Sequence, residues 1–386
     1  MARKTPRGLL LSGGGARAAY QAGVLRRIVE ISPEPDGRIP FEILVGTSAG
    51  ALNLAVAAAR ANSLRSAVDT MCEHWESIRT EKVFSSSTFN IVKNMLRWLL
   101  DLTLGGTENR KEPRARSLVD TAPLGRLMAE LLPAGAIEAH IRSGILDAVA
   151  VSATDYDTGA LTIFVQARRD RTLWRRYSRV ARYDEITPAH VLASCALPIL
   201  FPAVRIGNTY YGDGSVRNTA PLSPAIHLGA RKILAIGVRE QISTPVDLAP
   251  KEDAAQYPSI ASISGVLLDS IFLDALETDR EQMTRINRLL EQIPDGVTDE
   301  RGVRMHPIDF LYLGPSKDLS DIALAHRREM PRTVRHMLKG LGAGGTSGGE
   351  LLSYLLFEPG YSRELLALGY EDARSKSAEI QRFIWG

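Results

Sequence analysis

The chain has 386 residues, of which 45% are hydrophobic and 24% are charged. These values, together with 32 glycines and 20 prolines, exclude collagen-like, coiled-coil and wholly disordered chains. The formal net charge is only +3, so no overall field draws the chain to a polyanion, and no nucleic-acid partner is expected. Cys72 and Cys195 fit neither a disulfide framework nor a metal site, which predicts buried thiols in a reducing compartment.

The N-terminal residues lack the apolar core of a secretory signal. Arg3, Lys4 and Arg7 are followed only by Leu9–Leu11 before a glycine-rich turn, whereas a signal peptide needs about 7–15 apolar residues. No window of about 18 uncharged apolar residues occurs either. The sequence therefore predicts a cytoplasmic protein, and any membrane contact is expected to be peripheral.

The first fifty residues repeat the order strand, tight turn and helix. Residues 8–11 lead into Gly13–Gly15 and a helix-forming stretch, and residues 41–45 lead into Gly46–Gly50 and an alanine-rich stretch. This order favours an α/β fold of three layers, α/β/α, with a mostly parallel central sheet. Later strand candidates are Leu146–Val151, Leu161–Val165, Thr209–Tyr211, Lys232–Val238 and Ile308–Leu313.

The pattern changes near residue 240. Apolar residues recur at helical intervals from Ile260 to Leu290, and Pro294 ends that predicted helix. We expect an α/β domain over residues 8–239 and a mainly helical extension over residues 240–386, whose strand at Ile308–Leu313 could return to the sheet. Loops are predicted at residues 81–88, 105–116, 243–256 and 342–349.

Residues 46–50 read Gly-Thr-Ser-Ala-Gly, a G-x-S-x-G pattern directly between a strand and a helix. A nucleophilic serine needs this context, because the sharp turn exposes its Oγ while Gly46 and Gly50 let the backbone pass closely. The helix N-terminus favours negative charge that develops on an attacked carbonyl. The alternative is a glycine-rich turn in which Ser48 is only the helix N-cap.

The earlier turn presents the successive backbone N–H groups of Gly13, Gly14 and Gly15 at the start of another helix. Such a nest binds a phosphate or an oxyanion. Gly13, Gly15 and Ala18 also match a dinucleotide pattern, but a Rossmann site needs an acidic residue at the end of the second strand. The only acid of that strand, Glu42, is at its other end. We therefore assign the nest to an oxyanion.

Ser48 needs a base, and Asp213 stands between Gly212 and Gly214 on a tight loop after a short polar and aromatic strand. An Asx turn without a catalytic role is the alternative for this aspartate. None of the histidines has the glycine or proline setting of a catalytic loop. The seven are His74, His140, His190, His227, His306, His326 and His336.

Taken together, these segments resemble the patatin-like phospholipase family. Residues Gly13–Arg17 are similar to its glycine-rich oxyanion loop, Gly46–Gly50 to its nucleophile elbow, and Asp213-Gly214 to its Asp-Gly signature. The likeness extends in the expected order over about residues 8–238. Supporting similarity lies at Ser117–Leu124, at Ala153-Thr154-Asp155 with Thr158-Gly159, and at Ala193–Pro202.

The resemblance implies a serine acyl hydrolase that cleaves phospholipids, lysophospholipids or related acyl-ester lipids through an acyl-enzyme, without metal or cofactor. It assigns Ser48 as nucleophile and Asp213 as base. The implied oxyanion hole comprises Gly13, Gly14, Gly15 and Arg17. A non-catalytic phosphate- or nucleotide-binding module and a lipid-surface scaffold without turnover are the alternatives.

Three residues need comment within this resemblance. Arg17 has a second interpretation, as a surface arginine in the first helical turn. Ala18 stands where many members have glycine, and Ser215 where glycine or alanine is commoner. Neither departure removes a catalytic group, but Ala18 brings the accepted substrate size into question.

An aspartate is a weak base for a serine hydroxyl, because its reference pKa is about 3.9. Burial beside an apolar acyl chain raises that pKa, and strong oxyanion stabilisation lowers the demand on the base. We therefore expect the Gly13–Gly15 amides to contribute much of the catalysis.

Two segments are candidates for membrane contact. Residues 91–102 predict a helix with a broad apolar arc, suited to a lid or a headgroup region, with a core helix as the alternative. Arg168–Arg182 holds seven arginines interleaved with Trp174 and Tyr177, which suits anionic headgroups. Single-stranded nucleic acid and a solvated surface are alternatives for that stretch. The sequence does not determine the oligomeric state.

Overall fold

The computed structural model describes residues 5–85, 117–168, 173–241, 259–293, 296–298, 304–340 and 348–386. Residues 91–102, the predicted apolar helix, and the predicted loops at 105–116 and 243–256 lie outside the described residues. The described strands are β1 Arg7–Leu11, β2 Ile43–Thr47, β3 Ala148–Asp155, β4 Leu161–Ala167, β5 Arg175–Arg176, β6 Arg179–Tyr183, β7 Val204–Ile206, β8 Thr209–Asp213, β9 Lys232–Ile236 and β10 Asp309–Leu313.

The helices of the described residues flank these strands, and two short 3-10 turns, Gly15–Ala18 and Gly214–Arg217, follow β1 and β8. The α-helices are α1 Ala19–Ile31, α2 Ala49–Ala59, α3 Leu64–Glu76, α4 Thr80–Val83, α5 Ala122–Leu131, α6 Ala136–Arg142, α7 Pro188–Ser194, α8 Ser223–His227, α9 Ile260–Phe272, α10 Asp274–Glu291, α11 Leu319–His326, α12 Arg332–Gly340, α13 Gly349–Leu355, α14 Pro359–Ser375 and α15 Ser377–Trp385.

The strands form one sheet in the order β10-β9-β1-β2-β3-β4-β6-β5. Strands β10, β9, β1, β2 and β3 run parallel, with Leu9 of β1 level with Leu44 of β2 and Leu234 of β9. Strand β4 is antiparallel to β3, and β8, with β7 beside it, pairs antiparallel with the end of β3. The prediction of a mostly parallel sheet between helical layers is confirmed.

Both faces of the sheet are covered, as parallel strands require. Leu9 and Leu11 of β1 belong to one apolar core and Leu10 to the other, since successive side chains of a strand point to opposite faces. The first core also takes residues of α1, α2, α3 and α14, and the second takes residues of α8 and α10. Because β1 and β2 are parallel neighbours, their carboxyl ends lie at the same edge of the sheet.

The region after residue 240 is built onto the same sheet. Strand β10 pairs in parallel with β9, from Asp309 opposite Lys232 to Leu313 opposite Ile236. Helix α14 packs along α1, where the hydroxyl of Tyr20 donates a hydrogen bond to Asp372 over 3.1 Å. The division near residue 240 stays a prediction, while the described residues on both sides of it share the two cores.

The helix predicted from Ile260 to Leu290 is divided in two at Leu273. Its two parts pack in different places, because Phe272 of α9 enters the first core and Leu276 of α10 enters the second. A periodic pattern read along the chain does not reveal a change of packing face within three or four residues. The consequence for function is that α9 lies over the glycine-rich turn, while α10 covers the sheet.

Candidate active site

Ser48 occupies a sharp turn between β2 and α2. Its backbone has φ of 53° and ψ of −132°, a strained conformation for a residue other than glycine and typical of a nucleophile elbow. Its side chain does not cap α2. Instead, Oγ donates a hydrogen bond of 2.7 Å to Oδ2 of Asp213, and the Ser48 amide donates to Oγ of Ser194 over 2.8 Å. Ser48 thus stands at the N-cap position of α2, but its hydroxyl bonds to Asp213 and not to the helix.

Asp213 ends β8, where it lies opposite Ala153 of β3. Its backbone carbonyl accepts a hydrogen bond of 2.7 Å from the hydroxyl of Thr154, and Oδ1 accepts one of 2.8 Å from the amide of Ser215. The local Asx-type bond and the bond to Ser48 thus use different carboxylate oxygens. Both oxygens are held, which leaves the carboxylate one orientation toward Ser48.

The electrostatic setting of Asp213 raises its basicity. Asp213 is 1% exposed, and this burial raises the pKa of its carboxyl group to about 6, although the hydrogen bonds from Ser48 and Ser215 oppose the shift. Burial disfavours the charged form because the interior solvates it poorly. An aspartate with a pKa near neutrality is a better proton acceptor at cellular pH than a solvent-exposed one.

All seven histidines lie in the described part of the chain, and none of them lines the pocket that contains Ser48 and Asp213. His190 is buried beside Thr187, with its Nε2 atom 3.5 Å from Asp184. The ring of His227 stacks on Trp174, with centroids 4.7 Å apart. Among the residues that line this pocket, Asp213 is the one whose side chain accepts the hydrogen bond from Ser48.

The glycine-rich turn lies directly against the elbow. A Cβ atom added to Gly50 would lie 2.2 Å from the carbonyl oxygen of Leu11, so the start of α2 touches the backbone that enters the turn. Gly15 has φ of +56°, and a Cβ atom there would lie 2.3 Å from the carbonyl oxygen of Tyr354. Within the described residues, the N–H groups of Gly13 and Gly14 donate to no acceptor. These amides are thus available to an oxyanion.

Arg17 is 3% exposed, and its interpretation as a surface arginine is wrong. Its Nε donates to Oγ of Ser353 over 2.8 Å and its Nη2 donates to Glu350 over 2.5 Å. Nη1 lies 3.6 Å from Asp269, and the guanidinium stands 4.1 Å from the ring centroid of Tyr354. Arg17 therefore links the glycine-rich turn to α9 and α13, both of which follow residue 240.

A buried polar network, which the sequence analysis missed, supports the turn from behind. Nε2 of Gln21 donates to the carbonyl oxygens of Ser12 and Ile236, over 2.9 and 3.2 Å. Nδ2 of Asn53 donates to Gln21 over 3.0 Å, and Nε1 of Trp75 donates to Oδ1 of Asn53 over 2.8 Å. One feature of the sequence could have indicated this network: Asn53 has the only side chain in α2 that can form hydrogen bonds.

An apolar pocket opens at the Ser48–Asp213 pair. Its empty volume is about 570 Å³ including its open mouth, yet only about 40 Å³ admits the centres of water molecules, so the pocket is narrow. Besides Gly15, Ser48, Cys195 and Asp213, its walls are Ala49, Leu52, Trp75, Ile78, Val83, Leu124, Leu197, Phe201, Phe272, Tyr354, Leu355 and Phe357. The last four of these follow residue 240, and no motif pointed to them.

The arginine-dense stretch is described except for residues 169–172. Trp174 is 4% exposed and stacks on His227, so its ring is not available for stacking on a nucleic-acid base. Arg182 pairs with Asp184 over 3.0 Å and lies over the ring of Phe164. Tyr177 is fully exposed at the turn between β5 and β6.

The described residues have neither a metal-binding cluster nor a membrane-spanning helix. They contain no group of three or more His, Cys, Asp or Glu side chains that could hold a metal ion. No helix among them has both the length and the apolar character needed to cross a bilayer.

Both cysteines are buried and unpaired, and burial raises the pKa of the Cys72 thiol to about 12.

The fold and the site define an α/β protein with a buried serine–aspartate pair at a strand-to-helix elbow. The family model of patatin-like phospholipase matches residues 9–226, which is more than half of the chain. The chain therefore belongs to the patatin-like phospholipase family.

Two solved structures show partial likeness. The chain is 13% identical to VipD from Legionella pneumophila. The superposition covers 98% of this chain and 67% of VipD, with a TM-score of 0.34. It is 15% identical to the type III effector ExoU, a protein of Pseudomonas aeruginosa, covering 99% of this chain and 54% of that one, also with a TM-score of 0.34. The chain thus spans about half the length of ExoU. No curated protein gives a significant match.

Proposed function

We propose that this protein is a serine acyl hydrolase that cleaves carboxylic esters of phospholipids, lysophospholipids or related acyl lipids with a Ser48–Asp213 dyad. The observation that carries the proposal is the 2.7 Å hydrogen bond from Ser48 Oγ to the buried carboxylate of Asp213, because both residues line an apolar pocket. A nucleophile, a base and a site for an acyl chain are thereby adjacent.

In the first half of the cycle, the acyl chain lies in the apolar pocket and its ester carbonyl lies against Ser48. Asp213 takes the hydroxyl proton as Oγ attacks the carbonyl carbon, and the carbonyl oxygen becomes an oxyanion. The amides of the Gly13–Gly15 turn and the N-terminus of α2 stabilise that charge. Asp213 then gives its proton to the departing alcohol oxygen, which leaves an acyl-Ser48 ester.

In the second half, a water molecule attacks the acyl-enzyme and Asp213 accepts the proton that the water loses. The second oxyanion collapses, the bond to Ser48 Oγ breaks, and Oγ recovers the proton from Asp213. A free fatty acid leaves and the enzyme returns to its starting state. This cycle uses no metal or cofactor.

The two halves of the chain have different parts in this proposal. Residues 8–239 contain the dyad, the elbow glycines Gly46 and Gly50, and the oxyanion turn. The region after residue 240 adds Phe272, Tyr354, Leu355 and Phe357 to the pocket wall and anchors Arg17, which holds the oxyanion turn in place. We place the protein in the cytoplasm, in peripheral contact with the membranes that supply its substrate.

Mass-spectrometric profiling of a mixed lipid extract tests the proposal. The wild type is expected to release fatty acids, and Ser48→Ala and Asp213→Asn are each expected to abolish the release. A fluorophosphonate probe should label the wild type and not Ser48→Ala. His227→Ala is the control and should keep its activity. Near-full activity in Asp213→Asn, with an inactive His227→Ala, would refute the dyad.

A further inference from the structure

We infer that the rings of Trp75 and Phe357 form the closed end of the acyl pocket and limit the chain length, so that the enzyme prefers short acyl groups. This inference rests on the proposed function and specifies its substrate class. It also gives the region after residue 240 a direct part in specificity, because Phe357 lies outside residues 9–226, over which the family model matches.

The two rings line the same pocket as Ser48. They are stacked, with centroids 6.5 Å apart and an angle of 15° between their planes. The Trp75 indole is bonded to Asn53, which follows Ser48 by five residues along α2. At about 1.5 Å per helical residue, the backbone of Asn53 lies about 7.5 Å beyond that of Ser48 along the helix axis. Ala49 and Leu52, which lie between Ser48 and Asn53 in α2, also line the pocket.

The closed end is held on both sides. Trp75 is 2% exposed and is oriented by its hydrogen bond to Asn53, which in turn donates to the Ala18 carbonyl over 3.0 Å. Phe357 is 6% exposed and packs edge to face on Phe84, with ring centroids 6.4 Å apart. The next residue, Glu358, accepts a hydrogen bond of 2.7 Å from Thr80. A chain that reaches these rings therefore meets a wall of fixed side chains.

The size of the pocket indicates that short acyl chains are preferred to long ones. Only about 40 Å³ of the pocket can take the centres of water-sized spheres, so its walls lie close together. A butanoyl group fits such a space, whereas a dodecanoyl group has to displace the rings. Each methylene group that a hydrophobic pocket cannot accommodate lowers kcat/KM for the longer substrate, relative to the shorter one, about tenfold or more.

The first test compares p-nitrophenyl dodecanoate with the butanoate in wild type and Phe357→Leu. Leucine shortens the wall, so the ratio of kcat/KM for dodecanoate to that for butanoate is expected to rise about tenfold or more. Phe164→Leu is the matched control, since Phe164 is a buried phenylalanine that packs on His190 and Tyr211 and does not line the pocket. Its ratio should equal that of the wild type. An unchanged ratio in Phe357→Leu overturns the inference.

A second test does not depend on turnover. Calorimetry measures the binding of fatty acids from butanoate to dodecanoate to Ser48→Ala, with and without Phe357→Leu. The longest acid that binds is expected to be longer in the double variant. If this limit moves while no form of the enzyme hydrolyses esters, the inference stands and the proposed function fails. If the esters are hydrolysed and the limit is the same in both proteins, the inference fails and the proposed function stands.

Discussion

The hydroxyl of Ser48 donates a hydrogen bond of 2.7 Å to the carboxylate of Asp213, although Ser48 follows β2 and Asp213 ends β8, and these strands are not neighbours in the sheet. Strand β3 lies between them, since it pairs in parallel with β2 and antiparallel with β8. The pair is 165 residues apart in sequence and both members are buried. The register of three strands therefore decides whether the proposed nucleophile has a base.

The first prediction concerns the pH dependence of activity. Asp213 has to be ionised to accept the proton of Ser48, and burial raises its pKa to about 6. The kcat/KM for a soluble ester is therefore expected to rise with pH through about 6 and to level off above it, with roughly tenfold loss per pH unit well below that value. Initial rates from pH 4.5 to 8 measure this profile. A profile that is flat across pH 6 would contradict the assignment of Asp213 as base.

The second prediction concerns stability. Because the folded-state pKa of Asp213 is above the unfolded value, the folded protein holds the proton more tightly. Its ionisation therefore lowers stability as pH rises from about 4 to about 6, and the loss is complete above that range. Asp213→Asn removes this cost. The free energy of unfolding of the variant minus that of the wild type should therefore be about 2 kcal/mol higher at pH 8 than at pH 4. Urea denaturation at both pH values tests the difference, with Asp36→Asn, an exposed surface site, as the control.

The third prediction concerns Arg17. Its removal leaves Ser353 and the Glu350 and Asp269 carboxylates without their shared cation between the oxyanion turn and the later helices. Because both carboxylates are about a third exposed, Arg17→Ala should cost about 2–3 kcal/mol of unfolding free energy, below the full penalty for breaking a buried pair. Ester hydrolysis should fall with it.

Arg65→Ala is the control for that experiment. Arg65 forms an exposed ion pair with Asp36, and such pairs contribute about 0–1 kcal/mol. Chemical denaturation of the two variants compares them directly. Equal, small effects would show that Arg17 does not hold the turn to α9 and α13.

The fourth prediction concerns the contact between the elbow and the oxyanion turn. A methyl group at Gly50 would lie 2.2 Å from the Leu11 carbonyl and 2.5 Å from that of Ser12, so Gly50→Ala has to push the turn away from Ser48. A misplacement of about 1 Å costs about 100-fold in rate. Gly125→Ala is the control, because its added methyl group meets only Leu192, at 3.6 Å. Comparable kcat/KM values for the two variants would show that this contact does not position the site.

Much of the site could be predicted because its signals are local. A strand, a glycine-rich turn and a helix within fifteen residues specify the backbone of the elbow and of the oxyanion turn, and the Asp-Gly loop marks the end of β8. The sheet followed in the same way from apolar runs and their spacing. The helix at residues 260–290 was predicted as one piece because its apolar period continues through the break at Leu273.

The sequence by itself determined the chemistry that the site can offer: a serine at an elbow, an aspartate on a tight loop and a nest of amides. Only the tertiary structure decided their surroundings, namely the burial that raises the pKa of Asp213, the partners of Arg17 and the wall formed by Trp75 and Phe357. Trp75 and Phe357 are 282 positions apart in the sequence. Backbone conformation depends on neighbours in the chain. Burial and pocket shape depend on which distant surfaces pack together, and a local sequence pattern does not predict that packing.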